Sequence, residues 1–216
     1  DAMNLVDSIN KELPSLMELE LESFYVRGIF VMKKSSNIGA KKKYALIDEK
    51  GILKVRGFET IRRDWSYLAK EVQREILRII LKEADKEKAL SYTREIINNV
   101  RDKKIKKEKM IIRSRLRKDI LSYDQIGPRV IIARRMQELG IGVSPGTTVE
   151  YIVVEGKGLV RDRVKLPDEC KEDEYDSDYY IENQIVPAVK MIFESLGYNE
   201  EDVSKDSKQK SLGDFS

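Results

Sequence analysis

Four groups of side chains in this sequence have the types and spacing to do chemistry on an anion. The first is Lys41-Lys42-Lys43-Tyr44, placed where a strand is expected to begin. Successive side chains on a strand point to opposite faces, so Lys41 and Lys43 share one face and Lys42 and Tyr44 the other. An ammonium beside a phenol suits a phosphate or minor-groove contact, since tyrosine offers a flat face and a hydrogen bond. A charged entry to an edge strand, guarding against aggregation, is the plainer reading of the same residues. The second group, Arg62-Arg63-Asp64, carries two planar guanidiniums able to grip phosphate bidentately. Arg113, Arg115 and Arg117 form the third, with Lys118 beside them. Spaced by two on an extended backbone, the arginines fall on one face about 7 Å apart, near the separation of successive phosphates. The fourth is Arg129 in Gly127-Pro128-Arg129, a cation at an expected helix start, where the macrodipole already favours an anion.

The bulk composition narrows what these groups can serve. With 216 residues, 41% hydrophobic and 37% charged, the chain belongs among globular proteins. It has no histidine and one cysteine, Cys170, so histidine general bases, disulfides and thiolate zinc sites are excluded within it. No apolar run approaches the roughly 20 residues of a membrane span, and no leader is evident, so an intracellular, cytoplasmic protein is expected. Asp1-Ala2 are expected to be foreign, with Met3 the natural start. The net charge of +3 hides strong segregation. Arg101–Lys118 holds ten basic and two acidic side chains, Asp168–Glu182 eight acidic and one basic, and Lys33–Lys43 five lysines and no acid. Such a stripe fits a phosphate backbone. A solvated surface laced with ion pairs, common in thermophile proteins, would account for it equally well.

The expected elements place these groups. Met3–Leu13 has helical spacing and stops at Pro14. Leu16–Tyr25 alternates leucine with glutamate and reads as a half-buried strand. After Gly28 a second strand spans Ile29–Met32, and Ser35–Ala40 is a polar loop. Lys43–Asp48 and Ile52–Phe58 make a hairpin turning at Gly51. Near Asp64, a plausible N-cap, the period becomes helical; Trp65, Leu68, Ala69, Val72, Ile76 and Ile79-Ile80 share one face. Asp85 caps a second helix to about Val100. Pro128 opens a third, with Gly140 just past its end. Thr147–Val154 and Val160–Leu166 read as short strands. Tyr179–Leu196 is a last helix, bent at Pro187 and stopped by Gly197, and Asn199–Ser211 is a polar mobile tail.

Several of these segments resemble one family in order and spacing. Lys41-Lys42-Lys43-Tyr44-Ala45, Arg56-Gly57-Phe58-Glu59 and Arg62-Arg63-Asp64-Trp65-Ser66 look like the KKRY and RRDWS elements of B-family DNA polymerases, archaeal members above all. Ile126-Gly127-Pro128-Arg129-Val130 resembles the thumb's Gly-Pro-His-Val segment, and Asp178–Gln184 the start of the last thumb helix. The resemblance covers nearly the whole chain. It implies an α+β fold, with antiparallel palm strands followed by a mainly helical thumb holding a small β element. The implied parts are the C-terminal palm at 1–60, the thumb at 61–198 and a tail at 199–216. It implies primer–template contacts by Lys42, Lys43, Tyr44, Arg62, Arg63 and Asp64, and thumb contacts by Arg117, Lys118 and Arg129; Lys41, Arg113 and Arg115 are added to the expected DNA-binding set on charge and spacing. Lys43 stands where arginine is usual and Arg129 where histidine is usual. Asp119 stands where proline is common.

The family's metal-binding aspartate motifs do not occur in this sequence, which is expected to begin just after the second of them. By itself the chain is therefore expected to be inert, with Mg2+ held by a larger catalytic partner. Glu22 resembles an accessory palm carboxylate, though a solvent-facing strand glutamate describes it as well. Gln209, Leu212 and Phe215 resemble the peptide by which replication proteins bind the sliding clamp. Three roles remain open at this point: the small subunit of a split polymerase, a stand-alone DNA-binding and clamp-adaptor module, and a fragment of a single-chain polymerase. In the first, Met3–Leu21 is the expected apolar docking face for the larger subunit.

Overall fold

The computed structural model describes residues 1–32, 39–58 and 64–204. Arg62, Arg63, Gln209, Leu212, Phe215 and most of the expected Ser35–Ala40 loop lie outside the described residues, as do the side chains of Lys41 and Lys42. Helix α1 (Ala2–Glu12) forms where expected and ends at Leu13, held in the β region by the following proline. None of its residues is buried. The next expectation fails. Residues 16–25 join no strand, and Leu16 is 99% exposed, because among the described residues nothing offers this stretch a ladder partner.

Three antiparallel strands follow in the order β1 (Arg27–Met32), β2 (Gly39–Ile47) and β3 (Leu53–Arg56). Their register sets Phe30 opposite Tyr44 and Tyr44 opposite Arg56 on one face. Ile29, Val31, Ala45 and Ile47 lie on the other, buried. Gly28 lies inside β1 rather than breaking it; a Cβ there would sit 2.6 Å from Cδ2 of Leu46, its cross-strand partner. The hairpin turns at Gly51, whose φ of +80° is the left-handed conformation the turn needs.

Helix α2 (Tyr67–Arg78) is capped by Ser66, whose Oγ accepts from the Ala69 amide at 3.2 Å. Asp64 is thus not the cap, two residues too early for its carboxylate to serve the first turn. A wide turn, Ile79–Glu83, extends α2, and Arg27 donates to the carbonyls of Leu81 and Lys82 at its end. Helix α3 (Lys86–Arg101) starts at Asp85, which accepts from the Lys88 amide at 2.8 Å as expected. A short α4 (Lys107–Met110) leads into β4 (Ile112–Arg115), and α5 (Pro128–Glu138) ends just before Gly140 at φ +77°. β5 (Thr148–Val153) joins β4 to β6 (Val164–Lys165). The strand expected over Val160–Leu166 shrinks to those two residues because Val160–Asp162 coils into a 3-10 turn.

The last helix runs as α6 (Ser177–Tyr180), a wide turn at Ile181–Ile185, and α7 (Val186–Ser195). The wide turn comes immediately before Pro187, which has no amide to donate and crowds the carbonyl four residues back. Residues 199–204 correct the expectation of a mobile tail. Asn199 and Asp202 cap each other reciprocally at 2.9 and 2.8 Å, opening α8 (Glu200–Ser204). Val203 is 1% exposed, and Arg94 donates to the Asp202 carbonyl. One apolar core joins the inner face of β1–β3 to α2, α3, β5 and α7. The fold is the expected α+β.

Candidate nucleic-acid interface

The third group of cations is presented as its spacing predicts. Along β4 and beyond, Ile112, Ser114 and Leu116 are buried while Arg113, Arg115 and Arg117 are exposed. The inward residues hold the strand: β4 pairs with β5, and Leu116 continues through main-chain bonds to Thr147 and Gly146. Arg113 pairs with its cross-strand neighbour Glu150 at 2.8 Å. Arg115 lies across Gly146 and donates to its carbonyl at 3.0 Å, and any Cβ at 146 would crowd the guanidinium. Arg117 has no side-chain hydrogen bond or ion pair among the described residues. An exposed pair such as Arg113–Glu150 is worth only about 0–1 kcal/mol, so phosphate can displace it.

Beyond Arg117 the chain enters an open cleft of about 800 Å³, lined by Lys118, Tyr123, Gln125, Ile126, Arg129 and Arg161 among others. The Tyr123 hydroxyl accepts from the Arg117 amide at 2.8 Å, while the Lys118 ammonium lies 5.2 Å from its ring centre. Asp119 accepts from the Leu121 amide, giving this loop a short 3-10 turn. Arg129, on the first turn of α5, is half-buried and carries no ion pair among the described residues. Arg161 comes from the 3-10 turn after β5 and donates to the Ile126 carbonyl at 3.3 Å. Sequence reasoning missed Arg161 and Tyr123. Arg161 is 32 positions from Arg129 and no periodicity links them, although the aromatic at 123 between two basic sites was a usable signal.

Of the second group, Asp64 reaches the same strand. Ser114 Oγ donates to Asp64 Oδ1 at 2.8 Å, and Ser66 forms a bridge with Ile112. Asp64 therefore tethers the segment following Arg62-Arg63 between Arg113 and Arg115. The Ser66 amide donates to Gln184 Oε1 at 2.7 Å, so this segment is also locked to the wide turn of the last helix. Tyr180 lies wholly in the core, accepting from the Val153 amide and donating to the Met110 carbonyl at 2.7 Å. Burial pushes its phenol well above the ordinary range.

The first group divides. Tyr44 packs on Phe30 with ring centres 5.8 Å apart, on the outer face beside Arg56. Lys43 points to the opposite face, where its ammonium lies 3.1 Å from the Met191 sulfur of α7. Part of the basic stripe is likewise engaged by partners within this chain. Lys103 engages Glu155 and the Tyr175 carbonyl, Lys107 the carbonyls of Pro167 and Cys170, and Lys109 pairs with Glu71. Part of the acidic run answers it, through Glu172 accepting from the Lys107 amide. Glu22 pairs with Lys54, which holds its carboxyl below the usual range. Among the described residues no three acidic side chains gather as a divalent ion would need, so these residues do not fit a metal centre.

A model of DNA polymerase family B matches residues 2–196. The chain belongs to DNA polymerase family B. It is 45% identical over 214 residues to a DNA polymerase of Thermococcus aggregans, covering 98% of this chain and 11% of that one. A DNA polymerase of Methanocaldococcus jannaschii is 42% identical, over 99% of this chain and 13% of that relative. The family B polymerase structure from Pyrobaculum calidifontis superposes with a TM-score of 0.66 at 28% identity, over 97% of this chain and 25% of that one. The chain thus spans between about a tenth and a quarter of these polymerases. The resemblance drawn from the motifs was to this family. Its Gly-Pro-Arg segment opens α5 at the cleft, and Asp64 and Ser66 of its RRDWS-like segment meet the arginine strand. No helix among the described residues is long and apolar enough to cross a membrane.

Proposed function

We propose that this chain holds primer–template duplex for a DNA-directed DNA polymerase, with residues 1–60 as the end of the palm and 61–198 as the thumb. The observation that carries this reading is the outward row Arg113, Arg115 and Arg117 running into the cleft of Lys118, Arg129 and Arg161. Arginine forks spaced about 7 Å apart can follow successive phosphates. Arg117 and Arg129 need break no internal pair among the described residues to do so. Tyr44, Arg62, Arg63 and Asp64 are assigned to the same duplex by their place in the family's motifs, Asp64 through its hold on the arginine strand. Lys42 and Lys43 are assigned on the motif alone, and Lys41 on charge and spacing.

The metal-binding carboxylates, and the Mg2+ they would hold, are placed on a larger catalytic polypeptide that this chain completes. Gln209, Leu212 and Phe215 are assigned to the sliding clamp. Mixing the chain with that polypeptide should yield primer extension that neither gives alone. Duplex binding without any gain of extension would instead favour a stand-alone DNA-binding module. Absence of both would overturn the proposal.

A further inference from the structure

A donor lining the cleft, the hydroxyl of Tyr123, is left without an acceptor among the described residues. Residues 117–123 fold back on themselves around this side chain. Its oxygen accepts from two consecutive amides, that of Arg117 at 2.8 Å and that of Lys118 at 3.4 Å. The rest of the loop is pinned by its 3-10 turn, where Asp119 accepts from the Leu121 amide at 3.0 Å and Ile120 is only 7% exposed. The Lys118 ammonium lies 5.2 Å from the centre of the ring. The phenol is thus already set in place, and little side-chain freedom is left to lose when a ligand arrives.

A phenolic oxygen can accept through its lone pairs and donate one proton. Here the two amides occupy its accepting side, and no carbonyl, carboxylate or hydroxyl among the described residues takes the proton. Bonds accepted by the oxygen polarise the O–H and strengthen it as a donor. Tyr123 is half-buried and shares the cleft with Lys118, Arg129 and Arg161. The one carboxylate lining that cleft, Asp124, is 97% exposed and meets Lys118 at 3.4 Å. Three cations draw an anion to this point, and a phosphodiester oxygen only accepts, which suits a donor with its proton free.

We infer that the Tyr123 hydroxyl donates to a backbone phosphate oxygen of the duplex, a neutral contact set among the cationic ones. This rests on the proposed function and gives Tyr123 a direct contact beyond the shaping of its loop. The two kinds of contact differ physically. A cation on a phosphate releases counterions and loses its worth as salt rises, whereas a neutral hydroxyl releases none and contributes equally at every salt concentration.

Duplex binding by Tyr123→Phe, measured between about 50 and 200 mM salt, tests the inference. Affinity should fall about fivefold throughout, the worth of one neutral hydrogen bond, with the salt slope unchanged. Because phenylalanine also gives up the two amide bonds, a second measurement separates contact from loop shape. Duplexes carrying a single methylphosphonate, which replaces one charged oxygen by a methyl group, are scanned one linkage at a time. At one linkage the gap between the unmodified chain and Tyr123→Phe should shrink to less than about twofold. That coupling should persist when both proteins also carry Arg117→Ala and Lys118→Ala, since a direct contact does not act through those side chains. No loss in Tyr123→Phe, a gap unvarying at every linkage, or coupling that vanishes in the Arg117→Ala/Lys118→Ala background would each overturn the inference, while salt-dependent duplex binding leaves the proposed function standing. No duplex binding by the unmodified chain would overturn both.

Discussion

Removing Arg117 and Arg129 together should flatten the salt dependence of duplex binding. Both are free of ion pairs among the described residues, so neither truncation strands a buried partner or should alter stability by more than about 0.5 kcal/mol. Each phosphate neutralised contributes about 0.9 to the slope of log affinity against log salt. If each arginine holds one phosphate, Arg117→Ala/Arg129→Ala should lower that slope by about 1.8. Between about 50 and 200 mM salt, the advantage of the unmodified chain should then shrink roughly twelvefold. Fluorescence anisotropy of a labelled duplex over that salt range measures it. Arg78→Ala serves as the control, because that guanidinium is engaged by Glu75 at 2.6 and 2.9 Å. An unchanged slope in the double variant, or an equal drop in the control, would refute the assignment of phosphate contacts to the cleft.

Two further outcomes test how the site is held. Gln184→Ala should cost about 1–3 kcal/mol in urea unfolding, since the buried Ser66 amide loses its acceptor; no shift in midpoint would remove the claimed lock between the two segments. Burial, with Glu71, Glu75 and Glu95 nearby, pushes the Tyr92 phenol up to about 12. The folded chain then keeps a proton that the unfolded chain loses near pH 10, so this contribution is complete below about pH 10 and lost as pH rises toward 12. Tyr92→Phe should make unfolding free energy fall less steeply over that window, and an identical decline would contradict it.

Much of the scaffold was legible because local chemistry specified it. Asp85, Pro128, Gly140 and Gly51 sit where the caps and turns they signal are found. The alternation of Arg113, Arg115 and Arg117 with buried residues needs only a strand period to be read. Failures came where a signal depended on a partner. Leu16–Tyr25 has a strand's pattern, but a ladder needs a second strand, and the described residues supply none. Asp64 has a capping side chain, yet Ser66 stands closer to the first free amides, and Ser114 claims the carboxylate instead. In the tail, Val203 docks because Arg94, over a hundred positions earlier, meets the Asp202 carbonyl.

The amino-acid order by itself determined membership of DNA polymerase family B, the main helices and the β2–β3 hairpin, and which cations stand outward on β4, since each depends on residues within a few positions of one another. Only the tertiary structure decided that Lys43 turns to Met191 while Tyr44 faces out with Phe30, and that Lys103 and Lys107 spend their charge on partners inside the fold. It also decided that Arg161 shares a cleft with Arg129. A charge carries no record in sequence of where its counter-charge will be, and packing between distant segments settles which cations remain for a ligand.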